Sequence, residues 1–282
     1  KALPGYCQCF ACFTTPSMSE KDWYGVSPVV MFEREIATIQ REIDKNKRVI
    51  SLVYSPKEIR ENLEKGKMSA LLTIEGPAGF GFDPDLLENL YQIGFRISTL
   101  GWNEQNVLTG SHQTGEGLTD LGRSYVRKCQ ELGILVDVSH ISDRGFWDIM
   151  DITQAPVIAT HSNSRALCGH SRNLTDDMFR AIRKTGGVVG INQFANFLGD
   201  NPTLDTICDH IFHFLEMDSE GTHVALGGDL DGCSALAEGF EGIESYEALA
   251  DRLLERGLTE ETVMNLYWNN ALGVMDAAVQ NN

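Results

Sequence analysis

Two short apolar runs, each ending on a histidine, constrain the fold of this chain more than any other feature of its sequence. They cover residues 135–140 and 157–161, and they end on His140 and His161. Continuous β-branched runs with helical patterns on both sides are typical of buried parallel strands. In barrels of alternating strands and helices, side chains at the carboxyl ends of the strands line one site. We therefore expect both imidazoles to face the same site, and imidazole is the commonest protein ligand for a catalytic metal.

Strand and helix patterns alternate along the 282 residues, which predicts an α/β fold with parallel strands and right-handed crossovers. Seven strands are predicted, and the run 49–53 could be an eighth. The seven are 6–13, 68–74, 95–100, 135–139, 157–160, 187–194 and 223–228. A closed barrel and an open doubly wound sheet both fit this order. No Gly-x-Gly-x-x-Gly run follows the first strand, and residues of metal-ligand type end strands along the whole chain. Both observations favour a single TIM-like (β/α)8 barrel domain over residues 1–282.

The amino terminus does not fit a complete barrel. The chain begins at Lys1 without a methionine and enters an apolar strand almost at once. A domain rarely begins within its core. We therefore expect a truncated or processed terminus, with the first barrel strand missing or displaced there.

The charge and the cysteines limit the classes of partner and compartment. With 23 basic and 40 acidic residues, the formal net charge is −17. Phosphates would be repelled, which argues against nucleic acid or an anionic membrane surface as a partner. The seven cysteines are scattered and odd in number, as in reduced proteins, so a cytoplasmic location is expected. Cys7, Cys9 and Cys12 are interpreted as small core residues in preference to a thiolate metal site.

Four predicted strands end on residues that bind metals or move protons: Glu75, His140, His161 and Asp229. Two imidazoles and a carboxylate form a set that can hold Zn²⁺ with a position open for water. A strand-end aspartate such as Asp229 can orient and deprotonate that water. Singly, Glu75 could be a surface carboxylate and Asp229 a turn residue. The four together favour a hydrolytic metal site.

Arg172 lies in the loop that follows the second histidine strand. A guanidinium beside a hydrolytic metal suits a substrate carboxylate, which it can bind through two parallel hydrogen bonds. A solvated surface arginine is the alternative, and from the residues alone it is preferred.

Five segments together carry a family resemblance: Leu-Thr-Ile-Glu-Gly at 72–76, Val-Asp-Val-Ser-His at 136–140, Pro-Val-Ile-Ala-Thr-His-Ser-Asn at 156–163, Arg-Asn at 172–173 and Gly-Gly-Asp-Leu-Asp-Gly at 227–232. In order and spacing they closely resemble the zinc-dependent membrane (renal-type) dipeptidase family, peptidase family M19. The resemblance covers essentially the whole chain. It implies a TIM-like barrel of the metal-dependent hydrolase type, with two zinc ions that cleave dipeptides, and a homodimer.

The resemblance also implies a role for each candidate residue. Glu75 would bridge the two metals, and His140 and His161 would complete the second metal site. Arg172 would bind the carboxylate of the substrate. Asp229 would act beside the metal-bound water and the free amino group of the substrate.

The sequence departs from the family in two places. The first strand of the family carries a His-x-Asp pair that completes the first metal site, whereas residues 6–13 match the second strand and no such pair occurs at this amino terminus. Trp102 stands where animal members of the family have a histidine near the developing oxyanion. Many bacterial relatives resemble this chain at that position. The favoured hypothesis is a zinc-dependent dipeptidase. The alternatives are a catalytically impaired barrel that binds a metal or small ligand, and an amidohydrolase acting on another small amide.

Overall fold

A computed structural model describes residues 5–20 and 25–280, so Lys1 and the truncation expected there lie outside the described residues. The strands are β1 (Cys7–Phe13), β2 (Ile50–Leu52), β3 (Met68–Glu75), β4 (Phe95–Thr99), β5 (Leu135–Asp137), β6 (Val157–Ile158), β7 (Val189–Asn192) and β8 (Val224–Gly228). The helices are α1 (Pro28–Lys45), α2 (Pro56–Glu64), α3 (Leu87–Ile93), α4 (Asp120–Leu132), α5 (Asp143–Ile152), α6 (Asp176–Lys184), α7 (Ala195–Leu198), α8 (Leu204–Leu215), α9 (Ser245–Glu255), α10 (Glu260–Met264) and α11 (Asn270–Gln280). A π-helical turn, Asn265–Asn269, joins the last two helices. No described helix has the length and apolar character needed to cross a bilayer.

Hydroxyl side chains cap the amino-terminal ends of several helices. The side chains of Ser55, Thr119, Ser142 and Thr175 each accept a hydrogen bond from the backbone N–H three residues later. Such a cap satisfies one of the N–H groups that a helix leaves without a partner in its first turn. Gly133 ends α4 in the left-handed region, with φ 74°. The alternation of strands and helices is therefore set by local chemistry as well as by apolar pattern.

The chain divides into two compact units, Lys1–Gln154 with Met275–Asn282, and Ala155–Val274. In the first unit, β1, β3, β4 and β5 are parallel and pair in that order, while β2 pairs with the beginning of β3. The residues of β3 from Ser69 to Ile74 are buried. This strand therefore forms the centre of the sheet, and its carboxyl end carries Glu75.

In the second unit, β7 and β8 pair in parallel, and Ala159 beyond β6 forms a parallel bridge with Val189. The backbones approach closely where these strands end. A Cβ on either Gly190 or Gly227 would lie 2.2 Å from the carbonyl oxygen of Thr160. Glycine is therefore required at both positions, because any side chain would collide with the backbone of Thr160.

These observations confirm the predicted α/β fold with parallel strands, and Ile50–Leu52 confirms the eighth strand. Within the described residues the strand pairs do not form a closed ring, so the closed (β/α)8 barrel is not confirmed. A single domain over residues 1–282 also stays a prediction. Several predicted strand ends were wrong: the runs 135–139 and 157–160 end as strands at Asp137 and Ile158. Both histidines therefore lie in the turns that follow.

We expect Gly190→Ala to destabilise the protein. The added Cβ would meet backbone, which cannot rotate away, so the free energy of unfolding should fall by about 1–3 kcal/mol or more. Urea unfolding followed by circular dichroism measures this. The control is Gly273→Ala in α11, where a Cβ meets no atom within 4 Å and a helical glycine is replaced by a better helix former. Equal stability of the two variants would contradict the close approach of these strands.

Candidate metal centre

Glu75 and His140 meet in the first unit. Glu75 ends β3, and its Oε1 lies 3.0 Å from Nε2 of His140, with exposed side-chain fractions of 19% and 8%. His140 has φ 69°, in the left-handed region that non-glycine residues rarely adopt. Hydrogen bonds hold this turn: the Ser139 N–H donates to Oδ1 of Asp137 at 2.9 Å, and the His112 N–H donates to the His140 carbonyl at 2.8 Å. The turn holds the imidazole against the carboxylate.

His161 is buried in the second unit, in the turn after β6. A hydrogen bond of 2.7 Å joins its Nδ1 to Oγ1 of Thr160, so Nε2 is the candidate ligand atom of this ring. Glu75, His140 and His161 are described residues that could each offer one ligand atom to a metal ion. Within the first unit, the structure brings Glu75 and His140 together, as the sequence predicts.

The chemistry of these side chains fits a cation. Oδ1 of Asn103 lies 2.9 Å from Nδ1 of His140 and accepts the ring N–H. Nε2 of His140 then presents a lone pair to the Glu75 carboxylate at 3.0 Å. Two electron-rich atoms at this distance repel each other unless a proton or a metal ion lies with them. Two imidazoles and one carboxylate are also a known ligand set for a catalytic divalent metal.

A further carboxylate, that of Glu35 on α1, adds to the negative potential here. Burial, together with the charge of Glu75, raises the pKa of Glu35 to about 7, against a backbone hydrogen bond from Phe13 that lowers it. No feature of the sequence marks Glu35, because it is one of many acidic residues on an amphipathic helix. Its proximity to Glu75 comes only from the fold.

Arg172 is buried in the second unit, with 3% of the residue exposed, so the surface arginine preferred from the residues alone is wrong. One end of its guanidinium donates to the His161 carbonyl at 3.3 Å and the other to Oγ of Ser162 at 3.4 Å. The group also lies over the ring of Phe197, 5.3 Å from its centre. The guanidinium is therefore fixed beside the backbone of a candidate metal ligand.

Asp229 follows β8 with a left-handed backbone, φ 67°, and is partly exposed. Nδ2 of Asn192 donates to its Oδ2 at 3.0 Å. A Cβ on Gly232 would lie 2.2 Å from its Oδ1. The carboxylate is thus oriented on one side by an amide and given room on the other by a glycine.

The model of the membrane dipeptidase family, peptidase family M19, matches residues 6–282. The chain belongs to this family. Membership in M19 confirms the predicted family and the predicted class of enzyme, a metallo-hydrolase that acts on peptide bonds.

One curated relative is an uncharacterized dipeptidase of Schizosaccharomyces pombe, 31% identical over 259 residues. The match covers 86% of this chain and 63% of the yeast protein, so the chain spans less than two thirds of the length of that relative.

Two solved structures show the M19 fold over nearly the whole chain. A metallopeptidase from Rhodobacter sphaeroides, liganded with a phosphinate mimic of the dipeptide L-Ala-D-Ala, is 24% identical, with a TM-score of 0.87 over 98% of this chain and 87% of that one. The dipeptidase AC, a metallopeptidase of family M19, is 25% identical, with a TM-score of 0.86 over 98% of this chain and 86% of that one. The chain therefore shares its fold with these two metallopeptidases.

Trp102 and the cysteines of β1 are the other residues of this region that the sequence singles out. Trp102 packs near the centre, with its ring centre 6.3 Å from that of His140 and 5.2 Å from that of Phe13. The cysteines of β1 are not uniformly core residues, since Cys12 is buried but Cys9 is exposed. Among the described residues, these thiols form no group of metal ligands with other side chains.

Sequence reasoning missed the side chains that hold the candidate ligands in place. Three such side chains each bind a predicted site residue: those of Asn103, Thr160 and Asn192. The only feature of the sequence that could have indicated them is their place at or just beyond the end of a strand. His210 of α8 was assigned no role. It is fully buried, accepts a hydrogen bond from the Ser164 N–H through Nδ1 and binds the Leu198 carbonyl through Nε2. It therefore anchors the turn that follows His161.

We expect His210→Gln to lose the Nδ1 acceptor and about 1–3 kcal/mol of stability at pH 7.5. Burial lowers the pKa of His210 below its ordinary 6.5, and a hydrogen bond to Leu198 and the charge of Asp209 oppose this while His213 adds to it. A histidine kept neutral in the folded state contributes stability above its unfolded pKa and loses it as the pH falls below that value. The stability gap between wild type and variant should therefore shrink between pH 7.5 and 5.5, as measured by urea unfolding. A gap that grows on acidification would contradict this assignment.

Proposed function

We propose that this chain hydrolyses dipeptides at a zinc centre held by Glu75, His140 and His161. The observation that carries the proposal is the 3.0 Å approach of Nε2 of His140 to Oε1 of Glu75, with both side chains largely buried. Family membership supports the reaction class, and the dipeptide mimic bound to the Rhodobacter sphaeroides metallopeptidase supports a small dipeptide as substrate. Zinc is proposed because two imidazoles and one carboxylate suit it. When bound, such an ion supplies a Lewis acid that lowers the pKa of water to roughly 7 and polarises a carbonyl group.

Arg172 is proposed to bind the carboxylate of the substrate. The guanidinium lies beside the His161 carbonyl and over the Phe197 ring, which restricts the side chain before the substrate arrives. An arginine restricted in this way loses little conformational freedom when it forms two parallel hydrogen bonds with a carboxylate. The substrate would then be held with its carboxyl end at a fixed distance from the candidate ligands.

Asp229 is proposed to accept the proton of the attacking water and to bind the amino group of the substrate. Asn192 donates to one oxygen, Oδ2, and leaves Oδ1 on the side of Gly232. A positioned carboxylate of this kind contributes about 10²–10⁴-fold to a reaction through proton transfer. Its partial exposure lets water and a substrate reach it.

A homodimer and a cytoplasmic location belong to the same proposal. The dimer rests on the resemblance to the family. The location is supported by the seven cysteines, which are all free thiols of the kind that reducing compartments maintain.

A catalytically impaired metal-binding protein is the second candidate. One observation favours it: within the described residues, only one group of three or more His, Cys, Asp or Glu side chains could hold a metal. A site with two zinc ions would need ligands beyond that group. Metal content and turnover distinguish the two candidates.

We expect the wild type to bind zinc and to cleave dipeptides, and His161→Ala to lose both, because a ligand has been removed. Asp229→Asn should retain the zinc but lose about 100-fold or more in kcat, since the proton acceptor is lost while the ligands stay. Zinc is measured by atomic absorption, and turnover by the release of amino acids. Wild-type turnover in His161→Ala would refute the dipeptidase proposal. Bound zinc without any wild-type turnover would favour the impaired protein.

We expect Arg172→Met to lower kcat/KM by about 10- to 100-fold, the loss of one charge-assisted hydrogen-bonded pair. A dipeptide amide, which has no terminal carboxylate, should be a poor substrate for the wild type. Arg172→Met should hydrolyse the acid and the amide at similar rates, because the group that distinguishes them is gone.

Arg180→Met is the matched control, because Arg180 is an exposed arginine of α6 that pairs with Asp177. It should behave as the wild type with both substrates. If Arg172→Met still prefers the acid as strongly as the wild type does, another group binds the carboxylate.

A further inference from the structure

Asn103 contacts two histidine rings at once. It lies beyond the end of β4, and its Oδ1 is 2.9 Å from Nδ1 of His140 and 3.0 Å from Nε2 of His112. The rings of His112 and His140 are 6.3 Å apart, measured between their centres. A carbonyl oxygen has two lone pairs and can accept from both rings. Each histidine therefore places an N–H on the same amide oxygen.

This contact decides which nitrogen of His140 faces Glu75. With the proton on Nδ1, the ring presents the lone pair of Nε2 to the carboxylate. With the proton on Nε2, the ring would donate to Oε1 of Glu75 at 3.0 Å and would offer the metal no lone pair there. The acceptor on Asn103 favours the first arrangement, which is the one that a metal ligand needs.

The same loop also holds the backbone of His140. The carbonyl of Asn103 accepts from Oγ of Ser111 at 2.7 Å, and Ser111 forms an antiparallel bridge with Ile141. The His112 N–H donates to the His140 carbonyl. Ring and backbone of His140 are thus fixed from one segment, residues 103–112. A left-handed non-glycine residue, which costs of order 1–3 kcal/mol, persists only where its surroundings hold it in this way.

We propose that Asn103 is a positioning residue of the metal centre, which holds a proton on Nδ1 of His140, so that Nε2 faces Glu75, and which is itself anchored by His112. For the metal, this inference rests on the proposed function. For the Nδ1 proton, it concerns the metal-free protein, in which Nε2 can carry a second proton that it donates to Glu75, and it stands independently. The expected consequence is an effect on Zn²⁺ affinity from a residue that is not a ligand, of about 10- to 100-fold.

The experiment compares Asn103→Leu, which removes the acceptor at nearly the same size, with Asn103→Asp, which keeps an acceptor. Asn106→Leu is the matched control. Asn106 lies in the same loop and binds the Leu100 carbonyl and the Leu108 N–H, at 2.9 and 2.8 Å, so it stabilises the loop by bonds to backbone groups. Circular dichroism checks that each variant folds. If Asn103→Leu does not fold, the shorter Asn103→Thr replaces it.

Two measurements are made on each protein. Long-range ¹⁵N–¹H correlation spectra of metal-free, histidine-labelled protein report the tautomer of His140, which is assigned by comparison with His140→Gln. Competition with a chromophoric chelator reports the affinity for Zn²⁺. We expect Nδ1 of His140 to carry a proton in the wild type, in Asn103→Asp and in Asn106→Leu, with Zn²⁺ affinities within about tenfold of one another. Asn103→Leu should lose the proton on Nδ1, keep the proton on Nε2 and lose about 10- to 100-fold in Zn²⁺ affinity.

Several results would overturn the assignment. One is a wild-type His140 that carries no proton on Nδ1. Another is an unchanged tautomer together with unchanged Zn²⁺ affinity in Asn103→Leu. A third is an equal loss in Asn106→Leu, which would show a general effect of loop disruption. If the wild type binds no Zn²⁺, the proposed function fails, while the spectra of the metal-free protein still decide the role of Asn103.

Discussion

The contact on which the candidate centre depends is that between Nε2 of His140 and Oε1 of Glu75, at 3.0 Å. Both side chains are largely withdrawn from water, and a third carboxylate, that of Glu35, is near enough for the charge of Glu75 to raise its pKa. In a low-dielectric site, an unpaired charge is expensive, and its neutralisation by a bound cation is correspondingly favourable. The fold therefore collects electron-rich atoms at a place where a proton or a metal ion stabilises them. The groups around these atoms therefore position them for a bound ion.

The support comes mostly from turns that follow the strands. His140 and Asp229 both have left-handed backbones, with φ 69° and 67°, and both follow a parallel strand by one to three residues. Such turns cost free energy, which the hydrogen bonds around them offset. The turn of His140 is held by the Asp137 carboxylate and by the His112 N–H, which donates to the His140 carbonyl. Asp229 follows the last glycine of β8, and its carboxylate accepts a hydrogen bond from Asn192. Strain at a few residues is common in sites where geometry must be fixed before the ligand binds.

The sequence was sufficient to predict the order of strands and helices, because hydroxyl caps, glycine stops and apolar runs are local signals. It was also sufficient to predict that Glu75 and His140 lie together, because the carboxyl ends of parallel strands share an edge. It could not predict the burial of Arg172 or the contact of Asn103 with two histidines. Both depend on how loops fold back onto strand ends, and neither a loop arginine nor an asparagine has a periodic pattern. The closed barrel was predicted only because residues of metal-ligand type end strands along the whole chain. The strand pairs of the described residues do not form a closed ring.

The two imidazoles of the centre are held by different chemistry with a similar result. A side-chain amide from another loop occupies Nδ1 of His140, whereas the neighbouring hydroxyl of Thr160 occupies Nδ1 of His161. In each ring the nitrogen nearer the backbone is bound to the protein, so the outer nitrogen is the candidate ligand atom. A local partner such as Thr160 moves with its histidine and fixes only the rotation of the ring. A distant partner such as Asn103 also ties His140 to the loop that carries His112. The position of His140, more than that of His161, should therefore depend on the integrity of a separate loop, residues 103–112.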